Sequence, residues 1–310
     1  MAKVAFVFPG QGSQTVGMGK DLFEKFPEAR AIFEAADDAL GEKLSKLCFE
    51  GPEDDLKLTA NTQPAILTVS VAAHAVFSKR GPVASFVAGH SLGEYSALVA
   101  AGALSIGDAA KAVRARGTFM QEAVPAGVGA MAAVLGLEPG KVKAACDEAA
   151  EGLVVSPANY NSPEQTVIAG DAKAVERAGV KCKEAGAKRV MPLPVSAPFH
   201  CALMEPVKPR LAAVLGGLVM SAPSVPVVTN VEARPNSDVA RVVPLLLEQV
   251  SSPVRWIECV EALKAEGVTR VVELGPGKVL CGLVKRITKD IETFNVEDSA
   301  SLEKALAALG

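Results

Sequence analysis

The sequence lacks the features that mark secreted and membrane proteins. No C-x-x-C pair occurs among its six cysteines, at positions 48, 146, 182, 201, 259 and 281, so reduced thiols in a cytoplasmic protein are the better interpretation. No uncharged stretch approaches the length that crosses a membrane. The first apolar run stops at Pro9-Gly10, which makes it too short for the apolar region of a signal peptide. We therefore expect a cytoplasmic location and no membrane partner.

Basic charge and aromatic residues are also scarce. The formal net charge is −3 at pH 7, and aromatic residues make up 5% of the chain. No overall positive field is available to attract nucleic acid, and few rings are available to stack on single-stranded bases. We therefore expect no nucleic-acid partner. The 310 residues are 49% hydrophobic, which is enough to bury the core of one large domain or of two unequal ones.

The order of predicted elements favours an α/β fold. Apolar strands over 4–8 and 85–89 alternate with two helical segments, "GKDLFEKFPEARAIFEAADDAL", interrupted at Pro27, and "QPAILTVSVAAHAVFSKRG", with Pro64 in its first turn. This alternation predicts a parallel sheet with helices on both faces. It resumes in the last third of the chain, with strands over 225–228 and 269–274 and helices over 239–250, 256–266 and "GPGKVLCGLVKRITK".

The middle of the chain follows a different order. Its predicted elements run β-α-β-β-α-β, which is the order of a ferredoxin-like unit. They are strands over 130–135, 153–159, 166–169 and 189–193 and helices over 139–150 and 172–185, with the turn-rich "YNSPEQ" between the second and third strands. We therefore predict a small ferredoxin-like domain over 127–196, inserted into a large α/β domain formed by 1–126 and 197–310.

The stretch "VAGHSLGEYS", residues 87–96, contains Gly89-x-Ser91-x-Gly93 between an apolar strand and a helix. This pattern is typical of a sharp strand-to-helix turn that exposes a nucleophilic serine, with glycines that let strand and helix approach closely. The N-terminus of the following helix also favours developing negative charge. The alternative is an ordinary tight turn, but the strand and helix context favours a nucleophile.

A nucleophilic serine needs a base, and the sequence has three histidines. His74 lies inside an apolar helix, where a histidine on the helix face or a satisfied core histidine is the better interpretation. His90 adjoins Ser91 on a sharp turn, which makes it an awkward base. His200, in "VSAPFHCAL", follows the nucleophile in chain order and remains by elimination. Cys201 beside it is better interpreted as a buried structural thiol than as a nucleophile.

No obvious acid completes a triad. Asp108, Asp147 and Asp171 lie between Ser91 and His200, but the last two fall in or beside helices of the small domain. Asp108 has the position of a helix cap or a first-turn acid. A backbone carbonyl can orient the histidine instead, because holding a tautomer does not require a charge.

A second candidate site is "FPGQGSQ", residues 8–14, at the end of the first predicted strand. Ligand crevices of α/β sheets open there. The stretch does not complete G-x-G-x-x-G, because Thr15 stands where the last glycine is needed. A glycine-rich turn can instead offer the backbone N–H of Gln11 to an oxyanion, with the N–H of Leu92 as second donor. The alternative is a plain glycine turn.

Together these stretches resemble the malonyl-CoA:acyl carrier protein transacylases of bacterial fatty-acid synthesis and the related acyltransferase domains of polyketide synthases. The resemblance runs through nearly the whole chain in family order. Its motifs are "FPGQGSQ", "NTQPAIL", "GHSLGEYSAL", "RARGTFMQEAVP", "GAMAAVLG", "ANYNSPEQTVIAG", "PFHCALM", "TNVEA", "SSPVRW" and "ELGPGKVLCGLVKR".

The resemblance implies a large hydrolase-like α/β domain with a ferredoxin-like insertion. It also implies malonyl transfer from malonyl-CoA to an acyl carrier protein, without a metal or another cofactor. By this resemblance, Ser91 is the nucleophile and His200 is the base. The backbone N–H groups of Gln11 and Leu92 donate to the oxyanion. Arg116 binds the malonyl carboxylate, and the backbone carbonyl of Gln249 orients the histidine. Without the resemblance, Arg116 would be interpreted as a solvated helix charge.

One residue departs from the pattern of such transacylases. Phe199 stands before the histidine where serine is often found. Phenylalanine there resembles malonyl-selective polyketide acyltransferase domains, so Phe199 is a predicted substrate-binding residue. One alternative is therefore a free-standing acyltransferase of a polyketide pathway. A separate alternative is a serine thioesterase or esterase, because the acyl group on such a serine can also pass to water.

Carrier proteins are small and acidic, so their docking surface should be basic. "LVKRITK" predicts Lys285 and Lys289 on one helix face with Arg286 beside them. Lys188-Arg189 offers a second basic spot, and ordinary solvated charges are the alternative. We expect the enzyme to act as a monomer.

Overall fold

The structure is a computed structural model that describes residues 3–125, 127–195 and 197–310. Its strands are β1 (Lys3–Phe8), β2 (Phe86–Gly89), β3 (Gly129–Leu135), β4 (Val155–Ser162), β5 (Gln165–Asp171), β6 (Arg189–Pro192), β7 (Val227–Val228), β8 (Pro235–Asn236), β9 (Val268–Leu274) and β10 (Glu292–Val296).

The helices lie between these strands. They are α1 (Lys20–Lys25), α2 (Pro27–Leu40), α3 (Leu44–Glu50), α4 (Glu53–Lys57), α5 (Thr59–Phe77), α6 (Gly93–Ala100), α7 (Ile106–Glu122), α8 (Pro139–Ala149), α9 (Ala172–Glu184), α10 (Val207–Leu215), α11 (Val239–Gln249), α12 (Trp256–Ala265), α13 (Val279–Ile287) and α14 (Ser299–Leu309), with a short 3₁₀ helix at Ala202–Met204. Within the described residues, no helix combines the length and hydropathy needed to span a bilayer.

A six-stranded sheet in the order β10-β9-β1-β2-β7-β8 forms the large part of the molecule. Strand β1 pairs in parallel with β2 and β9, β10 pairs in parallel with β9, and β7 pairs in parallel with β2. Strand β8 runs antiparallel to β7. The predicted parallel sheet is confirmed. The carboxyl ends of its parallel strands meet at one edge, where "FPGQGSQ" and the Ser91 turn also lie.

Strand β1 shows why helices cover both faces of this sheet. Successive side chains of a strand point to opposite faces. Val4, Phe6 and Phe8 pack into one apolar cluster, on the side of α2, α5 and α7. Ala5 and Val7 pack into a second cluster, with Trp256 and other residues of α12 and α13. The strand is therefore buried on both faces, which explains why it reads as a continuous apolar run rather than an alternating one.

A second sheet of four antiparallel strands, in the order β4-β5-β3-β6, lies in the middle of the chain. Helices α8 and α9 cover one of its faces, and their element order confirms the predicted ferredoxin-like unit. Val254 donates to the carbonyl of Ala158 at 2.8 Å and accepts from the N–H of Tyr160 at 2.9 Å, which ties this sheet to the larger part.

The exact limits of the inserted domain stay a prediction. The predicted boundaries, 126–127 and 196–197, fall on Ala126 and Ser196, which lie outside the described residues.

Two sequence predictions about local structure are wrong. Pro64 is not in the first turn of its helix, because α5 begins at Thr59. Asn61 Nδ2 donates to the carbonyl of Asp55 at 2.8 Å, and the Thr62 hydroxyl donates to that of Leu56, so the preceding turn supports this early start. The turn predicted over 160–165 is also shorter, because β4 and β5 continue to either side of Pro163-Glu164. Helices α3, α4 and α10 and strands β8 and β10 were not predicted from the sequence.

The predicted shared face of Lys285 and Lys289 is also wrong. Helix α13 ends at Ile287, and Lys289 lies beyond it with its Nζ donating to the carbonyl of Lys285 at 2.6 Å. The helix stops because the chain turns at Thr288 to bury Ile291, which is 3% exposed, just before β10 begins.

Strands β1 and β2 and helix α6 approach one another so closely that two glycines are required. A Cβ at Gly89 would lie 1.9 Å from the carbonyl carbon of Gly93. A Cβ at Gly93 would lie 2.2 Å from the carbonyl oxygen of Phe8. Because both obstacles are backbone atoms, a side chain at either position has to push the strand and the helix apart.

Replacing Gly93 with alanine should therefore destabilise the protein by about 3 kcal/mol, the cost of inserting a methyl group into a packed core. Gly140→Ala is the matched control, because a Cβ at that helical position meets nothing within 4 Å. It should change the free energy of unfolding by less than about 1 kcal/mol. Urea unfolding of both variants measures the difference, and equal stabilities would contradict the close approach.

Candidate active site

The turn after β2 places Ser91 in a strained backbone conformation. Its φ is 54°, in the left-handed region that a residue with a side chain rarely adopts. The N–H of Gly93 donates to the carbonyl of His90 at 2.9 Å, and the N–H of Glu94 donates to that of Ser91 at 3.1 Å. This tight turn leads directly into α6, so the serine hydroxyl stands at the carboxyl edge of the sheet.

His200 is the histidine that the structure brings to this hydroxyl. Its Nε2 lies 2.7 Å from Ser91 Oγ, and its Nδ1 lies 2.8 Å from the backbone oxygen of Gln249. A carbonyl oxygen only accepts, so Nδ1 carries the proton and Nε2 is left as the acceptor for the serine hydroxyl. This tautomer is the one that a general base needs.

Burial keeps this histidine neutral. The side chain of His200 is 3% exposed. Loss of solvation, and then the nearby charge of Arg116, lower the pKa of His200 to about 3, against the opposing hydrogen bond to Gln249. The imidazole therefore remains unprotonated at neutral pH and can accept a proton from Ser91.

The carbonyl that orients His200 belongs to the last residue of a helix. Gln249 ends α11. The last carbonyls of a helix have no partner within the helix, and this end carries partial negative charge. The backbone oxygen of Gln249 therefore occupies the place that a carboxylate holds in a serine triad.

The other histidines and the cysteine lie elsewhere. His74 packs its ring against Phe6 and Phe8, with centroids 5.9 and 6.1 Å away, and burial lowers its pKa to about 4. His90 points away from the serine, with Nε2 2.8 Å from Asn161 Oδ1 of the small sheet. Cys201 is buried, and its thiol donates to a backbone carbonyl. Each position agrees with the interpretation that excluded these residues as bases or nucleophiles.

None of the three aspartates considered for a triad contacts His200. Asp108 accepts from Ser105, the N-cap residue of α7, and lies in its first turn. Asp147 pairs with Lys143 on an exposed helix, and Asp171 accepts from the backbone N–H of Val154.

Arg116 lies beside the serine and is 1% exposed. Its Nη2 donates to Ser91 Oγ at 3.1 Å and to Gln249 Oε1 at 2.9 Å, and its Nη1 donates to Gln63 Oε1 at 2.7 Å. Gly117 explains how α7 comes so close to α5, because a Cβ there would lie 2.6 Å from the carbonyl oxygen of Thr59. The guanidinium is thus a buried cation next to the Ser91 hydroxyl, which rules out the solvated alternative.

The two backbone groups predicted as oxyanion donors both border the serine. Gln11 and Leu92 line the same cavity as Ser91. Within the described part of the chain, the backbone N–H of neither residue donates to another group. The side chain of Gln11 is held separately, by donation from Nε2 to Thr59 Oγ1 at 3.2 Å. Both N–H groups are therefore free for a substrate oxygen.

A cavity of about 100 Å³ opens over Ser91. Phe199, which is 7% exposed, forms part of its wall. A second cavity of about 220 Å³ adjoins it between the two sheets. The two share the lining residues Gln11, His90, Asn159 and Leu193. The two cavities are therefore neighbours, and the smaller one contains Ser91.

Three residues of the site were missed from the sequence. Asn230 holds the serine turn, because its Oδ1 accepts from the N–H of Ser91 at 2.7 Å and its Nδ2 donates to the carbonyl of Gly89 at 2.6 Å. Gln63 binds Arg116, and Glu94 is buried behind the serine. Each of the three lies inside one of the family motifs. The sequence signal that could have revealed them was a polar residue within an apolar helix, as for Gln63 and Glu94, or at the end of a strand, as for Asn230.

The predicted docking residues lie apart from the serine. Lys285 and Arg286 are exposed on α13, and Arg286 Nη1 donates to Gln165 Oε1 at 3.4 Å. Gln165 lines the larger cavity, so this part of α13 borders its mouth. The second basic spot, Lys188-Arg189, is exposed at the start of β6.

The fold and this site define an α/β acyltransferase. The chain belongs to the family described as the acyl transferase domain, whose model matches residues 5–305. It is 50% identical over 307 residues to the malonyl CoA-acyl carrier protein transacylase of Salmonella typhimurium, with 99% of each chain covered. It is 51% identical over 310 residues to the enzyme of the same name from Bacillus subtilis, covering 100% of this chain and 98% of the relative.

Solved structures agree with this relationship. An acyl carrier protein S-malonyltransferase from Vibrio cholerae superposes with a TM-score of 0.96 at 52% identity, covering 98% of this chain and 100% of the other. A malonyl-transacylase in complex with the acyl carrier protein of a type II polyketide synthase also gives 0.96, at 49% identity, covering 99% and 100%. The resemblance and the fold class inferred from the sequence are confirmed.

Proposed function

We propose that this enzyme transfers the malonyl group of malonyl-CoA to the phosphopantetheine thiol of an acyl carrier protein, through a malonyl ester of Ser91. The observation that carries the proposal is the buried guanidinium of Arg116, whose Nη2 lies 3.1 Å from Ser91 Oγ. An esterase for simple acyl groups gains nothing from a buried cation at this place. A dicarboxylic acyl group has a free carboxylate that a guanidinium can bind through two parallel hydrogen bonds.

The first half-reaction loads the serine. His200 Nε2 takes the proton of Ser91 Oγ, and the oxygen forms a bond to the thioester carbon of malonyl-CoA. The carbonyl oxygen becomes an oxyanion that accepts hydrogen bonds from the N–H groups of Gln11 and Leu92. The carbon–sulfur bond then breaks, and the CoA sulfur leaves with the proton from His200.

The second half-reaction transfers the malonyl group from Ser91 to the carrier protein. The carrier-protein thiol gives its proton to His200, and its sulfur forms a bond to the malonyl carbonyl carbon. The bond from that carbon to Ser91 Oγ breaks, and the oxygen takes the proton back. The Gln249 carbonyl stabilises the imidazolium formed in each half-reaction. We propose no metal and no further cofactor for either step.

The relatives support this choice of substrates. The names of the Salmonella typhimurium and Bacillus subtilis proteins specify malonyl-CoA and acyl carrier protein, which favours a place in fatty-acid synthesis. The polyketide complex, 49% identical, keeps a second candidate open, in which the acceptor belongs to a polyketide synthase. Phe199 in the wall of the small cavity fits a site that selects malonyl groups in either pathway.

The carrier protein should dock where α13 borders the mouth of the larger cavity. Lys285 and Arg286 are exposed there, and no carboxylate of the described residues forms an ion pair with either. An acidic partner would find two free cations beside the larger cavity. The proposal includes a monomer and a cytoplasmic location, and the six buried, unpaired cysteines suit a reducing compartment.

The covalent intermediate provides the first test. After a short pulse of malonyl-CoA, intact-protein mass spectrometry should show a malonyl adduct that is absent in Ser91→Ala and forms about a hundredfold more slowly in His200→Ala. Added carrier protein should remove the adduct and become malonylated. An undiminished adduct in Ser91→Ala would refute the assignment, and release of free malonate without carrier transfer would favour a thioesterase.

Arg116 provides the second test. Replacing it with alanine should weaken recognition of the malonyl group by about 2–5 kcal/mol, because the ion pair between the guanidinium and the malonyl carboxylate is shielded from water. Acetyl-CoA has no free carboxylate, so its rate of loading should not fall. Single-turnover loading with each thioester measures the two effects. Equal losses for malonyl and acetyl groups would make the arginine structural.

The docking surface provides the third test. Reversing charge at Lys285 and Arg286 together should raise the KM for carrier protein, because electrostatic docking acts mainly on association, and added salt should weaken the effect. Loading of Ser91 from malonyl-CoA should stay unchanged. Reversal at Lys46 and Lys111, exposed on α3 and α7, makes the same change in net charge as a control. If both double variants raised the KM for carrier protein equally, α13 would be excluded as the docking surface.

A further inference from the structure

Glu94 is a buried carboxylate that the mechanism above does not use. It lies in the first turn of α6, three residues after the serine, and is 2% exposed. Its Oε2 accepts from the backbone N–H of Asn230 at 3.0 Å and from Gln249 Nε2 at 2.8 Å. A carboxylate this deeply buried is costly unless its partners or a nearby cation compensate it.

The side-chain amide of Gln249 connects this carboxylate to Arg116. Its Oε1 accepts from Arg116 Nη2 at 2.9 Å, while its Nε2 donates to Glu94 at 2.8 Å and to the carbonyl of Ser91 at 3.0 Å. An amide accepts only at its oxygen end and donates only at its nitrogen end. A cation at one end and an anion at the other therefore hold it in one orientation.

We propose that Glu94 is a positioning residue, which holds Arg116 in its malonyl-binding orientation through the side chain of Gln249 and thereby sets the preference for malonyl over uncharged acyl groups. The proposal rests on the function proposed above. Without the negative charge, the hydrogen bond from Gln249 Nε2 to residue 94 becomes weaker, and the other acceptors of Nε2 are the carbonyl of Ser91 at 3.0 Å and Asn230 Oδ1 at 3.4 Å. The Gln249 amide is then held less firmly, and so is the oxygen that aims Arg116 Nη2 beside Ser91.

The charges around Glu94 support an ionised carboxylate at mildly alkaline pH. Burial raises the pKa of Glu94 to about 7, while the hydrogen bonds from Asn230 and Gln249 and the charge of Arg116 act in the opposite direction. Among the described residues, Arg116 is the buried cation of this network. Above pH 7 the two opposite charges are therefore both present and joined by one amide.

Glu94 is also connected to Ser91 through Asn230, and loss of this second connection would change the loading rates differently. The Asn230 backbone N–H that it holds belongs to the residue whose side chain supports the serine turn, through Ser91 and Gly89. Loss of that support would slow loading of every acyl group alike. Loss of Arg116 positioning lowers malonyl loading much more than acetyl loading, because only the malonyl group has a carboxylate for the guanidinium to bind. The ratio of malonyl to acetyl loading therefore separates the two routes.

The test is Glu94→Gln, which removes the charge and keeps the size. Single-turnover loading of Ser91 from malonyl-CoA and acetyl-CoA is followed at pH 8 by quenching and intact-protein mass spectrometry. We expect the ratio of malonyl to acetyl rates to fall at least tenfold, with acetyl loading within about threefold of the parent enzyme. A parallel fall of both rates, or a ratio that stays equal or rises, would overturn the proposal.

Glu273→Gln is the matched control. Glu273 is fully buried, and its carboxylate accepts from the backbone N–H groups of Leu280 and Cys281, away from Arg116. The Glu273→Gln variant also loses a buried charge with little change in side-chain volume. Its loading rates therefore show the effect of general destabilisation. Its ratio of malonyl to acetyl loading should equal that of the parent enzyme, and a matching tenfold fall would overturn the proposal.

Gln249→Met supplies the second variant, because it removes the amide and keeps the backbone carbonyl that His200 needs. It should lower the ratio as much as Glu94→Gln does, and the double variant should show no further loss, since both changes break one connection. An additive loss would overturn the proposed route.

The failure of this inference can be told apart from the failure of the proposed function. If the unmutated enzyme loads acetyl but not malonyl groups, the proposed function itself fails. If the unmutated enzyme loads malonyl groups and Glu94→Gln leaves the ratio unchanged, only this inference fails.

Discussion

The backbone oxygen of Gln249 accepts a hydrogen bond from His200 Nδ1 at 2.8 Å, and the arrangement of the whole site depends on this contact. It fixes the tautomer in which Nε2 faces the serine. It is available because the last turn of a helix leaves its carbonyls without partners. A neutral peptide group does this without adding a second buried anion next to Arg116, the cation proposed to bind the acyl carboxylate.

The same residue also organises the charges of the site. Its side-chain amide lies between Arg116 and Glu94, so one glutamine contacts the proposed base through its backbone and the proposed acyl-binding cation through its side chain. Burial acts on all three titratable groups and lowers the pKa of His200 and Arg116 while raising that of Glu94. A compact polar network inside an apolar core holds one geometry, because each broken hydrogen bond leaves a buried group unsatisfied.

Much of the fold and part of the site could be predicted from local patterns. Buried strands, the glycines around Ser91 and the β-α-β-β-α-β order depend on neighbours in the chain, so composition and spacing reveal them. Helix limits were less accurate where tertiary contacts decide, as at Thr59, where contacts to α4 extend the helix, and at Ile287, where burial of Ile291 ends it. Spacing revealed no acid for His200 and left a backbone carbonyl as the alternative, whereas its position at Gln249 came from the family resemblance, because that contact joins residues 49 apart in the chain.

The sequence by itself determined that a serine stands on a tight strand-to-helix turn, that His200 is the remaining candidate base, and that two kinds of sheet share the chain. These follow from residue types at short spacing. Only the tertiary structure decided that Gln249, 158 residues after Ser91, donates to the carbonyl of that serine, and that Glu94 meets Asn230 in the core. The physical reason is that parallel strands and packed helices bring their ends to one edge of the sheet, where residues distant in sequence become neighbours.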